Sequence, residues 1–135
     1  LFPNASSSDL GHPFGNGEWD RLYIQNNPNV SSDERKKENI EDLTFGLDYI
    51  KTLVPKSYSL KSDENSKVHW GFIAQQLLET PPEPDLDVAF VDYQEEHDHY
   101  SVAYAELIAP LVKAVQELSA KVDSLTARIE VLEGE

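Results

Sequence analysis

Ser32 and Lys37 are the first residues in this chain whose types and spacing suggest chemistry. A serine hydroxyl attacks a carbonyl only if another group removes its proton. A lysine amine can do so once burial or a neighbouring cation favours its neutral form. Arg35 and Lys36 lie close in sequence and offer one source of such a field. Ser-x4-Lys also has a plain structural reading. Ser31-Ser32-Asp33-Glu34 has the form of a capping box, with Glu34 three residues after Ser31, so Ser32 would simply start a helix. The spacing alone leaves both readings open.

The other reactive groups point to less. His97 and His99 sit among Glu95, Glu96 and Asp98, which read as a solvated acidic turn, not a metal centre, because spacing supplies no further ligand. Asp85, Asp87 and Asp92 lack the register of a calcium loop. Gly15-Asn16-Gly17 lacks the Gly-Lys-Ser/Thr of a phosphate loop. His69 and Trp70 flank a strand and read as packing residues. With no cysteine, there is no disulfide, thiol nucleophile or cysteine zinc site. No cofactor and no metal are expected.

Composition narrows the class. A net charge of −14 and a pI near 4.5 argue against binding nucleic acid or an anionic membrane. No apolar run reaches the roughly 18 residues needed to cross a bilayer. Leu1–Leu10 has neither the basic start nor the apolar middle of a secretion signal, and a chain starting without Met is expected to be a piece of something longer. Apolar residues make up 39% of 135, little for a monomer's core, so association is expected to supply the rest.

Three segments follow along the chain. Residues 1–31 are rich in Asn, Ser, Gly and Pro, with one strand-like island at Trp19, Leu22, Tyr23 and Ile24. Too short to bury a core alone, they are either disordered or paired with copies of themselves, and the large aromatics Trp19 and Tyr23 favour pairing. Residues 32–103 mix helix and strand signals. Arg35 to Leu43 reads as a short helix or turn. Leu43, Leu47, Ile50 and Val54 form a helical stripe ended by Pro55. Ser57–Leu60 and Val68–Ile73 read as a hairpin, Ala74–Glu79 as a short helix, Val88–Val91 as a third strand and Tyr100–Val102 as a last one. Residues 104–135 read as one long helix, with Pro110 kinking or delaying its start.

That helix carries the strongest pattern. Ile108, Leu111, Val115, Leu118, Val122, Leu125, Ile129 and Leu132 alternate spacings of three and four, giving four heptads of a and d positions. No other apolar residues remain to cover so long a stripe, so parallel self-association is expected. Val and Ile at a with Leu at d lean towards two strands; Val112, Ser119 and Thr126 at e widen the uncharged face and suit three. Arg128 at g reaches Glu133 at e of a neighbour in a parallel, in-register coil.

Four ordered pieces resemble a known family. Ser32-Asp33-Glu34-Arg35-Lys36-Lys37-Glu38-Asn39-Ile40 resembles the opening of the self-cleaving intramolecular chaperone domain, peptidase family S74, of endosialidases and bacteriophage tail fibres or spikes. Leu43–Val54 resembles its first helix, and Gly71-Phe72-Ile73-Ala74-Gln75 with Pro81 its central motif. Tyr104–Ile108 through Val112–Leu118 resembles its closing segment, and Trp19–Tyr23 is similar to the end of a trimeric stalk. Lys36 and Pro110 depart from the family pattern. The resemblance implies an α+β chaperone domain, a parallel trimeric coiled coil and a preceding β-rich stalk end. It implies cleavage between Ser31 and Ser32, with Ser32 as nucleophile, Lys37 as base, and Asp33 and Asn39 as orienting residues. The implied partners are two further copies and the upstream fibre of the same polypeptide. The implied location is a virion tail precursor assembled in the bacterial cytoplasm, the released domain being absent from the mature virion. A non-cleaving trimerisation module and a receptor-binding tip, with His97–Tyr100 and the proline loop as its surface, are the alternatives.

Overall fold

A computed structural model describes residues 30–95 and 98–134. Residues 1–29, where the stalk end with Trp19–Tyr23 is expected, and the pair Glu96–His97 lie outside the described residues. The chain divides into two compact units, Leu1–Ile40 and Glu41–Glu135.

In the first unit the described part is a single 3₁₀ turn, Glu34–Lys36, which leads into extended chain at Lys37.

The second unit is a small mixed α/β fold with a long C-terminal helix. The helix expected over Leu43–Val54 contracts to one turn, α1, Leu47–Ile50. After it the bonds tighten to i→i−3, Thr52 to Tyr49 and Leu53 to Ile50, and Pro55 stops further winding. The expected stripe is not what packs, because Leu43 and Val54 stay exposed while Tyr49 is buried with Phe45 against it.

Strands β1 (Lys56–Ser59) and β2 (Val68–Gly71) pair antiparallel as Lys56↔Gly71 through Ser59↔Val68, the expected hairpin. Asp63 shapes its loop by accepting from the amides of Asn65 and Lys67. Helix α2 spans Ala74–Glu79, as its sequence indicated. The third strand lies further along than Val88–Val91: β3 is Val91–Gln94, and it pairs with β4, His99–Val102. Val88 instead accepts the amide of Val91 in the turn that brings Phe90 inward.

Pro110 acts through delay. Residues Tyr104–Leu107 form a 3₁₀ turn, and α3 begins only at Ile108 and runs to Glu133. Pro110 thus falls in the first α-helical turn, where a missing amide hydrogen breaks no intrahelical bond.

The core is Tyr49, Leu77, Phe90 and Leu107, with Phe45, Leu53, Phe72, Val88, Val91 and Val102 packed on it. Two glycines permit close approaches. A Cβ on Gly46 would lie 2.6 Å from both Lys113 Cγ and Glu117 Oε1 of α3. Gly71 leaves the space filled by the Tyr104 hydroxyl, which accepts the Phe72 amide at 3.0 Å.

Candidate functional site

The Ser32–Lys37 turn is built by its own side chains. Asp33, with φ −70° and ψ 126°, is the N-cap, and Oδ1 accepts the Arg35 amide at 3.0 Å. Aspartate is among the preferred caps because its carboxylate reaches an amide that the turn leaves unpaired. Arg35 closes a fork on the same carboxylate, Nε to Oδ1 at 3.0 Å and Nη2 to Oδ2 at 2.6 Å. This guanidinium holds the Asp33 carboxyl below the usual carboxylate range, and Asp33 in turn raises Arg35.

The capping assignment is corrected: Asp33 caps the turn, not Ser31 or Ser32. Asp33 holds both the Arg35 amide and the Arg35 guanidinium, which ties the cap to this residue. Lys36 and Lys37 then donate their amides to Asp33 O and Glu34 O, and Lys37 leaves with φ −119° and ψ 150°. That extended exit is accompanied by the contact that matters: Lys37 Nζ donates to Ser32 Oγ at 2.7 Å. Hydroxyl and amine therefore meet, next to the Ser31–Ser32 peptide bond. Ser31, Ser32 and Lys37 are exposed in the single chain.

The other expected participants fall less simply. Asp33 orders the turn and bonds Arg35 instead of Ser32 or Lys37. Asn39 stands in the left-handed region at φ 51°, tolerable for asparagine, and redirects the chain just beyond the turn. Arg35 is not an unpaired cation beside Lys37, because its charge is matched by Asp33. The cap–fork pairing of Asp33 with Arg35 was missed in the sequence, where the residues showed only as opposite charges two apart.

In the second unit, α3 has two distinct sides. Leu107, Pro110 and Ala114 are buried, and the Glu117 carboxylate accepts the Leu47 amide at 3.0 Å, seating this side on α1. Ile108, Leu111, Val115, Leu118, Val122, Leu125, Ile129 and Leu132 remain between 45% and 68% exposed. The fold thus leaves the heptad stripe uncovered. Among the described residues no cluster of three or more His, Asp or Glu has metal-holding geometry, and no helix is long and apolar enough to cross a membrane.

The turn that joins Ser32 to Lys37 opens a recognised segment. Residues 32–86 match the family Peptidase_S74, chaperone of endosialidase. The resemblance read from Ser32–Ile40 and Gly71–Gln75 is borne out over this span. The Peptidase_S74 match runs from Ser32 through the hairpin and α2 to Leu86, and its description points to a chaperone role and a peptidase-type segment. No curated protein matches the chain.

Proposed function

We propose that this chain is an intramolecular chaperone of a bacteriophage tail fibre or spike, which trimerises through α3 and then cuts itself between Ser31 and Ser32. The observation that carries the catalytic part is the 2.7 Å contact of Lys37 Nζ with Ser32 Oγ, made while Asp33 takes over the capping duty. That the family match starts at Ser32 supports the same boundary.

The step runs as follows. Neutral Lys37 removes the Oγ proton, and Oγ attacks the Ser31 carbonyl carbon. The Ser31–Ser32 C–N bond breaks as Lys37 returns the proton to the leaving nitrogen. The resulting ester is hydrolysed by water, giving a Ser31 carboxylate and restoring the Ser32 hydroxyl beside its new free amine. A lysine base needs shelter from water, and Ser32 and Lys37 are exposed in one chain. Assembly is the source of that shelter in this reading.

The assembly role has its own logic. A long β-stalk needs non-local register, and loop-closure entropy opposes it before contacts form. A coil at the C-terminal end raises the effective concentration of three upstream chains. Cutting afterwards removes the nucleating device and leaves the stalk kinetically trapped. The precursor belongs to the virion tail, assembles in the bacterial cytoplasm and sheds this domain.

A second reading, a trimerisation module that does not cut, is favoured by the same exposure of Ser32 and Lys37. Intact mass of the denatured protein separates the two, measured beside Ser32→Ala and Lys37→Ala. A fragment of 135 − 31 = 104 residues, absent from both variants, is the expected result. Full-length mass in all three removes the protease and leaves the assembly role.

A further inference from the structure

The two sides of α3 are not diametrically opposed, and that has a consequence for how copies meet. With Ile108 as a and Leu111 as d, the docked residues Leu107 and Ala114 are g positions, and Pro110 and Glu117 are c positions. At about 100° per residue, the body of each copy is centred roughly 100° around the helix from the a/d seam, on the g flank. In a parallel coil the g flank of one helix faces the e flank of the next. The body therefore leans sideways over the neighbouring helix, towards its e and b positions.

The sequence of that flank changes where the body ends. Over the first two heptads the b and e positions are Ala109, Val112, Gln116 and Ser119, all exposed and none charged. Over the last two they are Asp123, Thr126, Glu130 and Glu133, three carboxylates of four. In a chain with 27% charged residues and a net charge of −14, a charge-free exposed strip beside the body and an acidic one beyond it suits burial of the first alone. The strip is also continuous with the uncovered stripe, since Val112 is 50% exposed between Ile108 and Val115.

Resting on the parallel-assembly reading, we propose that Ala109, Val112, Gln116 and Ser119 form a docking surface for the globular body of an adjacent copy of this chain. Each body is then held between its own α3, through Glu117 and Ala114, and the α3 of the next copy. The coil is not a handle on a separate domain; its first half is shared structure, and only its second half is a free-standing coil.

The test uses the full chain with Val112 replaced by p-benzoylphenylalanine, and Thr126, the matching e position beyond the body, replaced likewise. Isotope-labelled and unlabelled chains are mixed, irradiated and digested. From position 112 the expected cross-links join different copies and end within residues 41–102. From position 126 they end within α3. Cross-links from 112 confined to α3, or to its own chain, overturn the proposal even if the trimer forms. Sedimentation run alongside reads the underlying assembly; a monomer there overturns both readings together. A charge pair gives an independent check: Ser119→Glu is expected to weaken association at least about tenfold relative to Thr126→Glu, and equal effects contradict the docking surface.

Discussion

Side-chain hydrogen bonds in the Ser32–Lys37 turn span two to five residues, from Asp33 to Arg35 and from Lys37 to Ser32. In the body the deciding contacts span 32 residues, from Tyr104 to Phe72, and 70, from Glu117 to Leu47. The turn carries its own geometry in six consecutive residues and needs little from elsewhere to bring hydroxyl and amine together. The body has local bonds too, as at Asp63, but its core is set by packing between distant segments. On the proposed mechanism the turn can therefore be broken while the body stays folded, whereas cutting still depends on the assembled body for shelter.

The sharpest way to break this contrast is at the turn. On the proposed mechanism Lys37→Ala lowers the rate of fragment release by about 10²–10⁴, the usual worth of a general base, with the melting temperature of the body unchanged. A drop of several degrees in circular dichroism melting would tie the turn to the body after all. The converse experiment is Leu77→Ala, which removes the most buried core side chain, 2% exposed. It is expected to destabilise the body by about 2–5 kcal/mol in urea titration, with the Ser32–Lys37 contact intact.

Leu118→Asp tests the uncovered stripe. On the proposed assembly, losing one apolar d contact removes about 1.5–3 kcal/mol per copy, and sedimentation should shift towards monomer while the near-ultraviolet spectrum of the body stays. Gly71→Ala sets a Cβ against the Tyr104 hydroxyl and is expected to lower stability by about 1–3 kcal/mol; an unchanged urea midpoint would show that Tyr104 yields freely. The smallest effect is electrostatic. The Asp33 carboxyl is held low by Arg35, so the order it lends the turn is complete above the ordinary carboxylate range and is lost as pH falls through its lower native value. The Arg35 amide resonance should report a midpoint below about 3.9, and a midpoint at or above it would contradict the fork.

What the sequence made legible followed the same divide. Period-two alternation placed the β1–β2 hairpin, and the three-four alternation placed α3, because each is a repeating local pattern. The Leu43–Val54 stripe misled, since Gly46 exists to let α3 approach and Tyr49, outside the stripe, became the core residue. The strand expected at Val88–Val91 slid to Val91–Gln94 because apolar residues there serve the core through a turn. At the site, Ser32 and Lys37 were visible as a spacing, but the choice of Asp33 as cap goes with a fork to Arg35 that spacing does not display. Tyr104 against Gly71 and Glu117 against Leu47 join pieces too far apart in sequence to be read from any local window.

The seat formed by Gly46, Leu47 and Glu117 also fixes the rotational phase of α3. A smooth helix could roll about its axis; one pinned at Glu117 cannot. Inserting a single residue between Glu117 and Leu118 would turn everything beyond it by about 100°, splitting the stripe so that its two halves point in different directions. An insertion of seven would restore the phase and only lengthen the rod. On the proposed assembly, length changes in α3 would be tolerated in whole heptads, and the Glu117–Leu47 seat is where their phase is set.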